Sequence, residues 1–384
     1  MKISILTNTF PPDGKGGAEQ IAFLQAKGFK DAGHEVTVWA CGTKEDSQTQ
    51  EGISVRRFAS VFSSLSKMNI FARFVFHFQD LRAREDVAQA IIDSHPDILI
   101  THNLTGCGIG TALMIQKSGI KWLHILHDIQ LTDPSGQASA KQTSRIFFAC
   151  WRRCWSALRK MSFGMPDVFV SPTEWLLSWH HRYGFKAKKE AVIPNPVALN
   201  AEDIDRRLNM PVSLLYVGRL SKDKGFDVFL DAVSQLDADL PIGGIIVIGS
   251  GDMELEAKAT GDARIEYLGW VSPKEVRTAI KNAGILIAPS QILENQQTIL
   301  LDALAEGTPV IATDVGGTKE TLEGTDCPVL SCGMGMGRRF ADVIKVMIAE
   351  KEEWAEISKA MQARAKRYDI REYIEKVLRV GGQR

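Results

Sequence analysis

Short runs of apolar, largely β-branched residues alternate along the chain with longer stretches in which apolar residues recur at helical spacing. In the first half these runs predict strands at residues 3–7, 36–40, 53–58, 98–101, 122–126 and 168–171. The pattern restarts in the second half and predicts strands at 214–217, 245–248, 265–268, 285–288 and 310–312. Such alternation is typical of parallel sheets with right-handed crossovers, so we expect two doubly wound α/β domains.

A polar and acidic stretch between Pro196 and Pro211 interrupts the apolar pattern, and we expect the join between the two domains there. After Cys332 the helical spacing continues to the end of the chain. The pattern therefore predicts three parts: an N-terminal domain at 1–195, a C-terminal domain at 196–365 and a last helix at 366–384.

The composition is that of a globular protein, because 45% of the 384 residues are hydrophobic and 24% are charged. The 46 Lys and Arg residues balance 46 Asp and Glu residues, which argues against a nucleic-acid-binding protein. Residues 1–200 nevertheless hold 23 basic against 17 acidic residues. The first half is therefore the part suited to anionic surfaces or substrates.

The termini and cysteines favour a cytoplasmic protein without a metal site. The first apolar run is too short for a signal peptide, and no apolar run is long enough to predict a membrane-spanning helix. The six Cys residues lack the paired spacing of a zinc site, so we expect reduced thiols and no metal ligands.

Two loops that follow predicted strands combine glycine with groups suited to an anion. Gly16 and Gly17 precede the first helix, whose opening amides can hold an anion, although the motif is not that of a dinucleotide-binding dehydrogenase. Arg219 and Lys224 follow the strand at 214–217 and can converge on one phosphate-rich ligand. A plain glycine turn would fit the first loop as well, and cations exposed to solvent would fit the second.

The segment 289–312 is the densest in groups that could do chemistry. Glu294 precedes a predicted helix and Asp302 lies within it, so their spacing of eight residues places both carboxylates on nearly one face. The start of that helix offers unpaired backbone N–H groups to a diphosphate at Gln296, Gln297 and Thr298.

Taken in order, five elements of the chain resemble the retaining GT-B glycosyltransferases of family 4. They are GGAE after the first strand, His127-Asp128 after the fifth, Pro194-Asn195-Pro196 at the join, VGRL with KG, and the acid-x7-acid element leading into ALAEGTPVIATDVGGTKE. The resemblance extends to about residue 330. It implies a GT-B fold, in which two Rossmann-like domains face each other across a cleft and the last helix crosses back onto the N-terminal domain.

The resemblance also implies roles for individual residues. Arg219 and Lys224 would hold the donor diphosphate and stabilise it as a leaving group without a metal ion. Glu294 would hydrogen-bond the donor sugar, and His127 would lie beside the reacting carbon. Further donor contacts are implied for Gly16, Gly17, Gln296, Gln297, Thr298 and, at the ribose, Asp302. His102 and Asn103 follow the fourth strand at a position near the acceptor, where a plain polar strand end fits equally well.

The implied reaction moves a sugar from a nucleoside diphosphate sugar, of UDP or GDP, to an acceptor hydroxyl with retention of configuration. The acceptor would be a glycan or lipid-linked glycan in polysaccharide or glycolipid assembly, and no cofactor is expected. Asp302 departs from the family, in which Glu is usual at this position. A non-catalytic nucleotide-sugar-binding protein therefore stays an alternative, as does an epimerase or hydrolase on the same scaffold.

Residues 141–160 contain six basic and no acidic residues. Helical spacing predicts an apolar stripe of Phe147, Trp151, Cys154, Trp155 and Leu158. The basic residues are expected opposite, at Lys141, Arg145, Arg152, Arg153, Arg159 and Lys160. Such a helix suits an anionic membrane surface, and an ordinary core-packed helix fits about as well. Aromatic residues at 58–78 favour membrane contact, so we expect a peripheral protein on the inner face of the cell membrane.

Overall fold

The computed structural model describes residues 1–14, 16–136, 138, 146–199, 211–259, 261–350 and 353–382. The chain divides into two compact units. Unit 1 comprises Met1–Gln137, Arg145–Pro196 and Ile370–Arg384, and unit 2 comprises Ala138–Ser144 and Val197–Asp369. Most of the predicted join at 196–211 lies outside the described residues, as do Lys141 and Arg145.

Unit 1 contains a sheet with the strand order β3-β4-β2-β1-β5-β6-β7-β8. The strands are β1 (Lys2–Thr7), β2 (Glu35–Gly42), β3 (Asp46–Gln50), β4 (Ile53–Ala59), β5 (Ile98–Thr101), β6 (Lys121–Ile125), β7 (Val168–Ser171) and β8 (Lys189–Val192). All neighbours pair in parallel except β3 and β4. Strands β5 and β7 are buried at every position, which is why they read as continuous apolar runs.

Helices flank this sheet, and two of them begin at a residue whose side chain caps them. They are α1 (Gly17–Asp31), α2 (Ile70–Gln79), α3 (Glu85–Asp93), α4 (Thr111–Lys117), α5 (Ile146–Phe163), α6 (Glu174–Arg182) and, at the end of the chain, α14 (Ile370–Val380). Asn69 accepts a hydrogen bond from the backbone N–H of Ala72 at 2.8 Å, which fixes the start of α2.

The last helix packs on the first helix within unit 1. Tyr373, Ile374 and Val377 of α14 share one buried cluster with Phe29 of α1. The Nε2 group of Gln25 donates a hydrogen bond to the hydroxyl of Tyr373 at 2.7 Å. This contact joins two segments that lie at opposite ends of the chain.

Unit 2 contains a fully parallel sheet with the order β11-β10-β9-β12-β13-β14. The strands are β9 (Val212–Val217), β10 (Ile242–Ile248), β11 (Ile265–Gly269), β12 (Ile285–Ala288), β13 (Val310–Asp314) and β14 (Val329–Ser331). The helices are α7 (Phe226–Ser234), α8 (Glu254–Ala259), α9 (Pro273–Asn282), α10 (Thr298–Glu306), α11 (Thr318–Thr321), α12 (Met336–Ala349) and α13 (Trp354–Ala365).

The predicted α/β class, with two doubly wound parallel sheets, is confirmed. Each of the eleven strands predicted from the sequence is present, with ends that differ by at most three residues. Strands β3, β8 and β14 were not predicted. They lie at sheet edges and are half-buried or exposed, so their sequences lack the apolar run by which the inner strands were recognised.

The face assignment predicted for residues 141–160 is wrong for two of its arginines. Arg152 and Arg159 are 1% and 0% exposed, whereas Phe147 and Leu158 of the apolar stripe are 76% and 41% exposed. The reason is helical geometry, since Arg152 and Arg159 lie three residues before and four residues after the buried Trp155 and so share its face. Arg152 pairs with Asp133 at 3.0 Å inside unit 1.

Candidate active site

In unit 2 the candidate residues follow β9 and β12, two neighbouring strands at which the strand order reverses. Ligands in open α/β sheets bind beyond the carboxyl ends of the strands at such a reversal. Arg219 and Lys224 lie in the loop after β9, and Ser290 and Glu294 lie in the loop after β12. The topology therefore brings these two loops to one edge of the sheet.

The loop after β9 is held in place by its own backbone and by Asp223. The buried ring of Tyr216 donates a hydrogen bond from its hydroxyl to the carbonyl of Arg219 at 2.7 Å. The guanidinium of Arg219 pairs with the carboxylate of Asp223 at 2.5 Å, and its side chain remains 52% exposed. Arg219 thus presents a positioned cation to solvent.

Lys224 and Glu294 form an ion pair that connects the two loops, with Nζ 2.5 Å from Oε1. The hydroxyl of Ser290 donates to the same carboxylate oxygen at 2.9 Å. The side chain of Lys224 is 28% exposed and that of Glu294 is 14% exposed. The structure therefore brings together Lys224 and Glu294, which sequence analysis connected only through the family resemblance.

Two glycines allow the backbone to approach this pair closely. Gly316 has φ of +59°, and a Cβ atom there would collide with the carbonyl of Glu294, which also accepts a hydrogen bond from Gly317 N at 2.9 Å. Gly225 has φ of +73°, and its Cβ would collide with the carbonyl of Pro289. These left-handed conformations favour glycine, and Gly316 thereby lets the backbone approach the carbonyl of Glu294 closely.

The helical spacing predicted for Glu294 and Asp302 does not hold. Helix α10 begins at Thr298, and residues 294–297 are not helical, so the rotation per residue of a helix does not relate the two carboxylates. Gln297 is the N-cap residue, and its side-chain Nε2 is buried without a hydrogen-bond partner among the described residues. Gln296 is buried beside it.

Asp302 lies in α10 near a separate ion pair, that of Arg277 and Glu306 at 2.5 Å. The pKa of Asp302 is raised to about 6, chiefly by burial and also by the nearby negative charge of Glu306, while Arg277 opposes the shift. The carboxyl group therefore ionises less readily than an ordinary Asp.

In unit 1 the strand order reverses between β1 and β5, and the loops after these strands are joined. The backbone N–H of Asn8, after β1, donates to the carbonyl of Asn103, after β5, at 2.9 Å. Gly16 and Gly17 open helix α1 close by, where the Glu19 carboxylate accepts a hydrogen bond from the hydroxyl of Thr9 at 2.6 Å.

His102 and His127 contact each other beyond the ends of β5 and β6. Nδ1 of His102 lies 2.6 Å from Nε2 of His127, and the two rings stack with centroids 4.9 Å apart. Burial lowers the pKa of His127 to about 4. Burial, with the neighbouring imidazoles, also places the pKa of His102 well below its ordinary value, so both rings are neutral at pH 7.

Asp128 follows His127 and holds the neighbouring loops. Its carboxylate accepts hydrogen bonds from Nδ2 of Asn103 at 3.1 Å and from the backbone N–H of Gln130 at 2.7 Å. Burial raises the pKa of Asp128 to about 6. Asn103, Asp128 and the buried Arg159 line a small cavity, together with other residues that follow β5 and β6.

Sequence analysis did not identify Ser290, Asp223 and Arg159 as parts of these clusters. Ser290 and Asp223 are common loop residues, and their importance depends on which loops meet. Arg159 was assigned to a surface because a buried cation has no signature in an amphipathic pattern. Its interval of seven residues from Arg152, which equals two helical turns, was the available signal.

Comparison with known families covers both units of the chain. The family described as "Glycosyltransferase Family 4" matches residues 15–201, and the family described as "Glycosyl transferases group 1" matches residues 211–349. Together the two matches include every candidate residue named above. The chain is a GT-B glycosyltransferase of the family 4 type.

Two curated relatives of this glycosyltransferase match over most of their length. An uncharacterised 42.6 kDa protein of the cps region of Klebsiella pneumoniae is 24% identical over 83% of this chain and 87% of the relative. The putative teichuronic acid biosynthesis glycosyltransferase TuaC of Bacillus subtilis is 23% identical over 83% of this chain and 82% of the relative.

Solved structures share the fold of this glycosyltransferase. Anabaena HepE, crystallised with UDP-glucose, has a TM-score of 0.70 at 18% identity, and the match covers 99% of this chain and 98% of HepE. WaaG, a glycosyltransferase of lipopolysaccharide biosynthesis, also has a TM-score of 0.70, at 14% identity over the full length of both chains.

The described residues contain no group of three or more His, Cys, Asp or Glu side chains placed to hold a metal ion. In the same part of the chain, no helix combines the length and the apolar character needed to cross a bilayer.

Proposed function

We propose that this glycosyltransferase moves a sugar from a nucleoside diphosphate sugar to an acceptor hydroxyl with retention of anomeric configuration. The observation that carries the proposal is the cluster of Arg219, Lys224 and Glu294 at the strand-order reversal of unit 2. This is where open α/β sheets bind nucleotides, and the cluster offers two cations for a diphosphate and one carboxylate for a sugar.

In the free protein each cation has a carboxylate partner, Asp223 for Arg219 and Glu294 for Lys224. A diphosphate carries more negative charge than a carboxylate, so a bound donor would attract both cations. They would then stabilise the charge that develops as the bond between the sugar and the diphosphate breaks. Fixed cations supply this stabilisation without a metal ion, and we propose a metal-independent reaction.

Glu294 would then be available to the donor sugar. Its hydrogen bonds with Ser290 and Gly317 hold the carboxylate and the backbone in place when Lys224 moves to the diphosphate. The backbone N–H groups from Gln296 to Thr298 open α10 and would contact the donor as well. We propose that Asp302 takes the ribose hydroxyls and that Gly16 and Gly17 approach the phosphates.

In unit 1 we propose that His127 lies beside the reacting carbon and that His102 and Asn103 lie near the acceptor. A neutral imidazole can exchange hydrogen bonds with a sugar hydroxyl without adding charge. Glu294 is engaged by Lys224 and Ser290, and burial raises the pKa of Asp302, so neither carboxylate is an obvious nucleophile. We therefore propose a front-face displacement, in which the leaving phosphate accepts the proton of the attacking hydroxyl.

The named relatives support a role in surface polysaccharide assembly. TuaC is named for teichuronic acid biosynthesis, and AmsK of Erwinia amylovora, 29% identical over 30% of this chain and 31% of the relative, is named for amylovoran biosynthesis. HepE binds UDP-glucose, which favours UDP as the nucleotide. We propose a glycan or lipid-linked glycan as acceptor and a peripheral location on the inner face of the membrane.

Thermal unfolding with UDP, GDP, ADP, CMP and their sugars tests the donor site. Binding to the folded state raises the Tm by mass action, so one diphosphate should raise it in the presence of EDTA. The Arg219→Ala/Lys224→Ala variant should lose this rise. Lys222→Ala is the matched control, because Lys222 is an exposed cation of the same loop. No rise with any nucleotide, or an equal rise in the double variant, would contradict the proposal.

A non-catalytic nucleotide-sugar-binding protein is the second candidate, and Asp302 favours it because Glu is usual in the family. Turnover by wild type and Asp302→Glu distinguishes the two. A large gain of transfer in the variant would indicate a decayed site, whereas loss or little change would indicate that Asp suits this site. Release of free sugar in the absence of an acceptor would indicate a hydrolase instead.

A further inference from the structure

Two helices of unit 1 expose large apolar side chains to solvent. Helix α2 exposes Ile70, Phe71, Phe74, Val75 and Phe78, and helix α5 exposes Phe147, Trp151, Leu158 and Met161. We call these nine residues the aromatic face. The exposures are large, since Ile70 is 88%, Phe71 73% and Met161 81% exposed. All four exposed phenylalanines of the described residues belong to it.

The two helices form one continuous surface because Trp155 connects them. Trp155 of α5 is 2% exposed, and its ring lies 5.5 Å from the ring of Phe78 of α2. Trp151 stacks on Trp155 with centroids 5.9 Å apart. Phe74 and Phe78 are also in contact, at 4.7 Å. Scattered apolar residues are common on protein surfaces, but a contiguous patch of this kind indicates an interaction site.

The two helices and the segments that flank them carry basic residues and no acidic ones. Segments 53–79 and 134–166 contain no Asp or Glu. Lys67, Arg73 and Arg153 are exposed on or beside the two helices. An apolar, aromatic face bordered by long cationic side chains fits the boundary between acyl chains and phosphate head groups, where rings enter and cations remain at the phosphates.

We propose that the aromatic face enters the interface of an anionic membrane, with α2 and α5 lying in the membrane plane. Arg153 and Lys67 contact the lipid phosphates, whereas the buried Arg152 and Arg159 hold α5 on unit 1 from within. The aromatic face is then the surface that holds the protein at the membrane. This assignment rests on the proposed function only as far as the lipid-linked acceptor is concerned. It does not require sugar transfer.

Co-sedimentation of the full chain with vesicles tests the proposal. Wild type should bind vesicles of phosphatidylcholine with 30% phosphatidylglycerol and bind pure phosphatidylcholine at least tenfold more weakly. Replacing Phe71, Phe74, Phe147 and Leu158 together by Ser should reduce binding to the anionic vesicles by at least tenfold. Lys67→Glu/Arg153→Glu should reduce it by a similar factor at low salt.

A matched control removes apolar residues that lie elsewhere on the surface. Leu255→Ser/Met334→Ser replaces side chains of unit 2 that are 81% and 99% exposed, and it should bind vesicles as wild type does. Because all replaced side chains are exposed, the variants should keep the wild-type Tm. The rise in Tm with the stabilising nucleotide should be unchanged, so a failure of vesicle binding is distinguishable from a failure of the donor site.

Three results would overturn the proposal. Wild type that binds neither kind of vesicle would do so, as would a Ser variant that binds as wild type does. A dimer in analytical ultracentrifugation that the same Ser substitutions abolish would show that a second copy of the chain covers the aromatic face.

Discussion

A hydrogen bond of 2.6 Å joins Nδ1 of His102 to Nε2 of His127, and the surroundings of His102 indicate which ring donates it. Nε2 of His102 is buried and has no hydrogen-bond partner among the described residues. A buried N–H without an acceptor is rarer and costlier than a bare acceptor, so the His102 proton belongs on Nδ1. His102 therefore donates, and His127 accepts on Nε2 and carries its own proton on Nδ1.

We expect ¹⁵N shifts of labelled histidines to show both rings as neutral Nδ1–H tautomers at pH 7. His102→Phe removes the donor, and the His127 ring should then populate both tautomers. If His127 orients the substrate, kcat in that variant should fall by about 100-fold, the cost of misplacing a group that positions the substrate. An Nε2–H signal for His102 in the wild type would contradict the assignment.

The lowered pKa of His127 predicts a loss of stability in acid. Its folded pKa of about 4 is below the ordinary value of 6.5, so the unfolded chain binds the proton first as pH falls. The contribution of this group is fully present above about pH 6.5 and is lost towards pH 4. Between pH 7.5 and pH 5 we expect a loss of about 1–2 kcal/mol of unfolding free energy from His127.

Urea unfolding of wild type and His127→Gln at both pH values measures this contribution, because the variant should lose less stability on acidification. His95→Gln is the control, since His95 is exposed, and it should follow wild type. Equal pH dependence in wild type and His127→Gln would mean that His127 titrates normally.

Gly316 should be indispensable to the position of Glu294. Ala at this position adds two penalties, the left-handed conformation at φ of +59° and the collision with the Glu294 carbonyl. Gly324 has φ of +74° and open space around it, so Gly324→Ala isolates the first penalty. We expect about 1 kcal/mol for Gly324→Ala and at least about 2 kcal/mol more for Gly316→Ala.

Urea unfolding separates the two variants, and nucleotide titration shows whether Glu294 has moved. Gly316→Ala should weaken donor binding, whereas Gly324→Ala should leave it unchanged. Equal losses of stability would mean that the backbone near Glu294 accommodates a Cβ atom.

The hydrogen bond between Gln25 and Tyr373 predicts a non-additive pair of substitutions. Tyr373→Phe leaves the buried Nε2 group of Gln25 without its acceptor and should cost about 1–2 kcal/mol of unfolding free energy. Gln25→Leu/Tyr373→Phe removes both polar partners and should recover part of this loss. Thermal unfolding of the single and double variants checks the cycle, and additive losses would show that the bond contributes little.

The inner strands could be predicted from the sequence because burial on both faces requires a continuous apolar run, as at Ile98–Thr101. Edge strand β3, with the sequence DSQTQ, carries no such run and depends on pairing with β4. The position of Arg219 and Lys224 in a loop that follows a strand could be predicted as well. The contact of Lys224 with Glu294 could not be predicted from spacing, since it depends on which strands become neighbours in space.

A pattern of polar and apolar residues does not by itself predict that Arg152 and Arg159 are buried. A cationic residue is predicted to lie at the surface unless its partners are known. Asp133, the partner of Arg152, lies 19 residues from it in the sequence. The sequence predicts part of the aromatic face, because Phe147, Trp151 and Leu158 belong to the predicted apolar stripe. The structure differs from the prediction in burying Arg152 and Arg159 beside Trp155.

Helix α14 completes unit 1 from the far end of the chain, and this order has a consequence for synthesis. Residues 197–369 form most of unit 2, so a ribosome must translate all of them before α14 emerges. At roughly 5–20 residues per second this takes about 10–35 s, during which Phe29 and its neighbours on α1 lack their partner helix. N-terminal-first folding therefore yields a nascent unit 1 with an open apolar surface, which closes only after α14 has been translated.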